Sequence, residues 1–250
     1  MTQREQSARS TDSRDVEIAI VGGGPAGAAL ARRLAAAGHE VALFERLPRP
    51  RWRASGVYSS PLTRVRLARL GLSDQQLSEL IRPISAMVVA TVDGSAACRL
   101  EYPAPHHACG VDRVRLEEVL LDLARKAGAR VQEGAVVPRV RLALGRPRTE
   151  LLVSQPAGSA WWGARLIVGA DGPASIVARS AGVVLGTRHY RRAALTGHRL
   201  DRGAAPAGQA MDARLIVGDG WYLGIAPVPG NRVNLGLVMA ELRLRRALRR

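Results

Sequence analysis

The chain has 250 residues, 47% hydrophobic and 23% charged, which suits one large globular domain or two small ones and excludes a disordered chain. No uncharged apolar run reaches the roughly 18 residues that span a bilayer, and Met1–Asp15 lacks the apolar stretch of a secretory signal, so a cytoplasmic protein is expected. The net charge of +16 is carried by arginines scattered through an Ala/Gly-rich chain, with Lys126 the sole lysine and few aromatics between them. That pattern predicts no dedicated nucleic-acid site. It does predict attraction to anionic ligands at low salt, and leaves peripheral contact with acidic membranes open.

Val16–Val21 is a short β-branched run that predicts a buried parallel strand. It leads into Gly22-Gly23-Gly24-Pro25-Ala26-Gly27 and then a helix over Ala28–Ala37, with Pro25 in its first turn and Gly38 as its stop. A second strand, Glu40–Phe44, ends at Glu45, with Arg46 beside it. Gly22, Gly24 and Gly27 match GxGxxG. The first permits the tight turn, the second lets backbone approach a pyrophosphate, and the third lets helix pack on strand. Pro25 and Ala26 stand where a phosphate meets the free N–H groups of the helix start. Glu45 is placed to accept hydrogen bonds from ribose hydroxyls, and it would repel a 2′-phosphate. The order strand, glycines, helix, strand, acid predicts a bound adenine dinucleotide without separating FAD from NAD.

Further along, Pro61–Leu70 and Ser73–Arg82 predict helices, and Ile84–Val92 and Ala97–Tyr102 predict strands. His106, His107 and Cys109 lie close together, but no second ligand pair at zinc spacing follows, so no metal site is expected. The two cysteines, Cys98 and Cys109, make no disulfide framework. From Val111, Leu116, Val119, Leu120 and Leu123 repeat at helical spacing, with Arg113 near the start. A cation there opposes the helix dipole, so Arg113 is either directed at a ligand or solvated. Arg130–Glu133 predicts a strand, and Val136–Leu144, Glu150–Ser154 and Trp161–Val168 predict a β-meander. The last of these runs into Gly169-Ala170-Asp171-Gly172 and then a helix from Ile176. Strands then dominate: Ala193–Arg199, Ala213–Val217, Trp221–Ala226 and Arg232–Met239, before an arginine-rich helix start from Ala240.

Three stretches, Arg51-Trp52-Arg53-Ala54-Ser55-Gly56, Val111 to Leu120 and Ala164 to Ser175, together with the opening turn, resemble the FAD-dependent group of aromatic-ring hydroxylases, flavin halogenases and geranylgeranyl reductases. The resemblance covers nearly all of residues 14–245 and implies FAD as cofactor, with NAD(P)H a candidate electron donor. It implies an α/β fold: a glutathione-reductase-like Rossmann FAD-binding domain with β-meander, plus a partial antiparallel-sheet substrate domain. The corresponding boundaries are 14–60 and 103–182 for the FAD-binding domain, 61–102 and 183–250 for the substrate domain, and 1–13 for a flexible tail. By the same resemblance Arg53, Ser55 and Gly56 form the loop passing over the flavin, although on residue type alone they also read as a basic surface turn. Arg113 reaches the FAD phosphates or ribityl chain, Val137 holds adenine through its backbone, and Asp171 with Gly172 forms a second fingerprint near the pyrophosphate.

The resemblance has gaps. Tyr222 and Gly224 replace the tryptophan pair of halogenases, so chlorination or bromination is not expected. Gly218-Asp219 stands too close behind Asp171 to be the third flavin fingerprint, which leaves that fingerprint missing and the chain apparently truncated at its C-terminus. The expected function is an FAD-dependent oxidoreductase acting on a hydrophobic or aromatic small molecule, by double-bond reduction or monooxygenation. The alternative is a catalytically incomplete FAD-binding fragment, or half of a split flavoenzyme with a complementing C-terminal chain. No acid or base is assigned, because the flavin carries the hard chemistry. His106, His107, His189 and His198 are read as structural.

Overall fold

The computed structural model describes residues 14–52, 57–143, 148–184, 191–203, 205–206 and 208–248. Arg53, Ser55 and Gly56, together with His189 and the expected tail 1–13, lie outside the described residues. The chain divides into two compact units, Met1–Pro50 with Glu117–Gly186, and Arg51–Leu116 with Thr187–Arg250.

In chain order the elements begin with β1 (Asp15–Val21), α1 (Pro25–Ala36), β2 (Val41–Glu45), β3 (Tyr58–Ser59), α2 (Leu62–Arg69) and α3 (Asp74–Leu80). They continue with β4 (Ile81–Thr91), β5 (Ala97–Glu101), β6 (Ala108–Val111), α4 (Arg113–Lys126), β7 (Arg130–Glu133), β8 (Val136–Arg141) and β9 (Thr149–Gln155). Then come β10 (Gly158–Gly169), α5 (Ile176–Ser180), β11 (Arg192–Leu200), β12 (Met211–Gly218), β13 (Trp221–Val228), β14 (Arg232–Ala240) and α6 (Glu241–Ala247). Among the described residues no helix is long and apolar enough to cross a membrane.

The first unit is built on a six-stranded sheet in the order β7-β2-β1-β10-β9-β8. The first four strands run parallel, and β10, β9 and β8 form the antiparallel meander. Every residue of β2 is buried, as expected of a parallel strand covered on both faces. Val16, Val21, Phe44, Leu151 and Val153 pack into a common core. There the Phe44 ring meets Trp162 edge-on at 5.0 Å, in the geometry that aromatic quadrupoles favour. Strand β10 pairs on both edges within this sheet: its first half matches β9, and Ala164–Gly169 lies beside β1. That second pairing carries the Asp171 bend to the end of β1.

The second unit holds a sheet in the order β11-β14-β13-β12-β4-β6-β3, with β5 added on β4. Among its described residues only β12 and β4 pair in parallel. Strand β6 pairs with β4 and β3, and a Cβ on Gly110 would lie 1.8 Å from the Pro227 carbonyl oxygen of β13, so only glycine permits that approach. The Gly218–Trp221 pair closes a two-residue turn, Asp219-Gly220, between β12 and β13. Gly218-Asp219 is therefore part of a hairpin end, a use that suits the dipeptide Asp-Gly.

The end of α3 differs from the sequence expectation for an identifiable reason. The helix read over Ser73–Arg82 stops at Leu80, and Ile81 is already extended at φ −128°. Pro83 disfavours helical backbone at Arg82, so the chain turns into strand two residues early.

Candidate cofactor-binding site

The turn between β1 and α1 is shaped by close contacts at three of its four glycines. Gly22 has φ +104°, and a Cβ there would lie 2.4 Å from the Ala170 oxygen and 2.7 Å from the Asp171 Cα. A Cβ on Gly23 would lie 2.7 Å from the Glu45 Cβ. A Cβ on Gly27 would stand 1.9 Å from the Gly22 carbonyl oxygen, so helix and strand touch there as backbone. At Gly24, by contrast, a Cβ would meet nothing within 4 Å. Three glycines are thus required by the protein itself, and the fourth borders open space.

Gly24 is the N-cap of α1, with φ −65° and ψ 177°, and Pro25 occupies the first turn. No side chain caps this end, and the first turn carries no acidic residue. The free N–H groups and positive dipole end are therefore left to an external anion. Ala26 is exposed at that opening, Pro25 is partly exposed, and Gly27 is buried behind it.

Glu45 ends β2 and is 9% exposed. Its Oε2 accepts from the Gly23 amide at 2.6 Å and its Oε1 from the Leu47 amide at 3.0 Å. The carboxylate thus fixes the glycine turn, while each oxygen keeps a further lone pair for a hydroxyl donor. Arg46 beside it is exposed. Val137, 8% exposed, puts its side chain into the core of the first unit, and the neighbouring Ala135 amide donates to the Glu45 carbonyl at 2.8 Å.

The bend after β10 lies directly against this turn. The Ala170 amide donates to the Val21 carbonyl at 2.8 Å, continuing the β1–β10 pairing. Asp171 Oδ2 accepts from the Ile176 amide at 2.7 Å. Asp171 Oδ1 is buried and has no hydrogen-bond partner among the described residues. Gly172 follows with φ +81°, a conformation glycine adopts without strain, and Ser175 caps α5 by accepting from the Ala178 amide at 3.0 Å.

Arg113 is the first residue of α4 and belongs to the second unit. The helix is capped just before it, where Asp112 Oδ1 accepts from the Arg115 amide at 3.1 Å. The structure brings Gly22, Gly24, Gly27, Glu45 and Asp171 together within the first unit. Two members escaped sequence reasoning. Gly23 shows only as the middle of a triple-glycine run, and Ala170 carries no sequence signal beyond its place before Asp171. The cysteines are both free, and burial pushes the Cys109 thiol up to about 11, which keeps it inert at neutral pH.

The sequence profile described as FAD binding domain matches residues 15–201. The chain belongs to the FAD-binding domain family. Among curated proteins this FAD-binding chain is similar to 3-amino-4-hydroxybenzoate 2-monooxygenase of Streptomyces cremeus, 30% identical over 233 residues, which is 88% of this chain and 55% of that protein. It is also similar to kynurenine 3-monooxygenase of Anopheles gambiae, 37% identical over 120 residues, or 44% of this chain and 24% of that protein. The chain thus spans about half the length of the first relative and a quarter of the second.

Among solved structures, the flavin-dependent halogenase CmlS superposes with a TM-score of 0.79 at 26% identity, covering 94% of this chain and 43% of that one. PqsL of P. aeruginosa, in complex with 2-aminobenzoylacetate, gives 0.75 at 22% identity, covering 93% of this chain and 63% of PqsL. A geranylgeranyl bacteriochlorophyll reductase-like protein from Thermoplasma acidophilum gives 0.75 at 20% identity, covering 92% and 57%. The last two likenesses show a shared fold. The residues present fit the family's cofactor: an uncapped helix start, an open edge at Gly24 and the orphaned Asp171 oxygen suit a polar, anionic dinucleotide.

Proposed function

We propose that this chain is the FAD-holding part of a flavin-dependent oxidoreductase acting on an aromatic or hydrophobic small molecule. The observation that carries the reading is the contact of the two fingerprints, Gly22 against Ala170 and Asp171, beside a Gly24 that faces open space. In this reading the amides of Ala26 and Gly27 hold the diphosphate at the start of α1, and Glu45 receives the adenosine ribose. Asp171 accepts a donor from the cofactor through Oδ1 while Oδ2 keeps the bend in place. FAD, when bound, supplies hydride transfer or oxygen activation; the chain binds and orients it. The two curated relatives are both monooxygenases, which favours monooxygenation over double-bond reduction. NAD(P)H is the proposed electron donor.

The test is anaerobic reduction of the FAD-loaded protein followed by mixing with oxygen, with and without 3-amino-4-hydroxybenzoate or kynurenine as probes. Faster reoxidation with an aromatic probe and formation of a hydroxylated product support the reading. Purified protein that takes up no FAD overturns it.

A second reading, an FAD-binding fragment that needs a complementing C-terminal chain, is favoured by the 55% coverage of the Streptomyces relative. It predicts FAD uptake without product, and product restored when the C-terminal half of that relative is supplied in trans.

A further inference from the structure

The indole of Trp52 and the imidazole of His198 lie 146 residues apart in sequence and meet inside the second unit. Trp52 Nε1 donates to His198 Nε2 at 3.1 Å, and the two rings pack edge-on with centroids 5.3 Å apart and an interplanar angle of 84°. Both residues are half-buried. An indole N–H only donates, so Nε2 must carry a lone pair, and His198 is neutral with its proton on Nδ1.

His198 sits on β11 opposite Asn234 of β14. The charged groups acting on it are Arg232 of β14 and Asp112 at the start of α4. These two pair with each other at 2.9 Å, and Arg232 Nε also donates to the Pro229 carbonyl at 3.1 Å. Arg232 is thus held close by its own partners and disfavours a second positive charge. Burial, first, and then Arg232 depress the pKa of His198, against a smaller opposing pull from Asp112.

We propose that Trp52 and His198 form a proton-sensitive latch, closed when His198 is neutral and opened when protonation places a second donor against the indole N–H. Protonated imidazole has donors on both nitrogens, so the hydrogen bond is lost and two donors face each other. The latch ties the chain just before Arg53 to β11 of the second sheet. It stands on the Trp52–His198 geometry alone and is independent of the flavin reading.

The test is NMR on the full chain labelled with 15N at histidine and tryptophan, with Trp52 assigned by its loss in Trp52→Phe. Above neutral pH the His198 nitrogens should report the Nδ1–H tautomer. On acidification the Trp52 indole resonance should move sigmoidally toward that of a solvent-exposed indole. Its midpoint should coincide with His198 protonation and lie below the ordinary histidine value of about 6.5. His198→Gln, whose side-chain oxygen still accepts, should keep the closed indole shift and abolish its pH dependence between about pH 5 and 8. An Nε2–H tautomer, an indole unmoved while His198 titrates, or unchanged pH dependence in His198→Gln each overturns the latch. Should His198→Gln fail to fold, the wild-type tautomer and titration decide.

Discussion

Alanine substitution at two glycines only three residues apart separates what the fold needs from what the cofactor needs. At Gly27 the new Cβ would lie 1.9 Å from the Gly22 carbonyl oxygen, and backbone has no side-chain rotamer through which to yield. Overpacking costs about 1–3 kcal/mol, and a backbone-on-backbone clash falls at the upper end, about 3 kcal/mol, whereas alanine's better helix propensity returns about 1 kcal/mol. The net loss is about 2 kcal/mol. At about 2–4 °C per kcal/mol in a chain of this size, Gly27→Ala should lower the melting temperature by about 4–8 °C. At Gly24 the new Cβ meets nothing within 4 Å, and φ −65° is ordinary for alanine. The weaker N-cap, about 1 kcal/mol, is nearly offset by the lower entropy of the unfolded chain, about 0.4–1 kcal/mol. Gly24→Ala should therefore melt within about 2 °C of the parent. It should nonetheless bind FAD at least tenfold more weakly, about 1.4 kcal/mol, because the methyl group occupies the path of the diphosphate. Scanning calorimetry of both apo variants, with FAD titration monitored by flavin fluorescence, checks the pair. Gly24→Ala binding FAD as tightly as the parent, or Gly27→Ala melting with it, would overturn this division of roles between the two glycines.

Other substitutions test the supporting residues. Glu45→Ala strands the buried Gly23 amide and the part-buried Leu47 amide, so even without FAD it should lose about 2–4 kcal/mol by denaturant titration, with Glu45→Gln losing less. Asp171→Ala removes the acceptor of the Ile176 amide and should cost about 1 kcal/mol of unfolding free energy, while Asp171→Asn should spare stability and still weaken FAD binding. The β4–β5 turn should loosen in acid. Hydrogen bonds from Thr91 and then Ser95 lower the Asp93 carboxyl to about 2. A depressed carboxylate contributes stability that is full above the ordinary value of about 3.9 and lost as pH falls through its folded value. Protection of the Ser95 and Ala96 amides against hydrogen exchange, relative to the intrinsic rate at each pH, should fall between about pH 4 and 2, and Asp93→Asn should remove that dependence.

The opening β-turn-α unit was legible because each of its demands is met by the absence of a side chain, and absence of a Cβ is visible as glycine. The open space at Gly24 and the crowding at Gly27 look identical in sequence; only the folded backbone separates them. Glu45 was legible as the acid ending the second strand. Its clasp on the Gly23 amide was not, because that contact depends on how far β2 runs beside the turn. The meander was read from turn residues, whereas β10 reaches back to Gly158 because pairing with β9 extends a strand that propensity alone ends at Trp161. Strand β6 escaped notice: four residues, Ala108–Val111, carry too little periodicity, and it is set by its neighbours β3 and β4. The Trp52–His198 contact joins residues with no local relation at all, so no pattern in the chain announces it.

FAD lying along the turn that joins both fingerprints of the first unit can be followed amide by amide, by chemical-shift mapping of the 15N-labelled chain during FAD titration. Large, saturable shifts are expected at Ala26, Gly27 and Gly172, titrating together with one dissociation constant. Saturable FAD binding that leaves those three amides unmoved would contradict it.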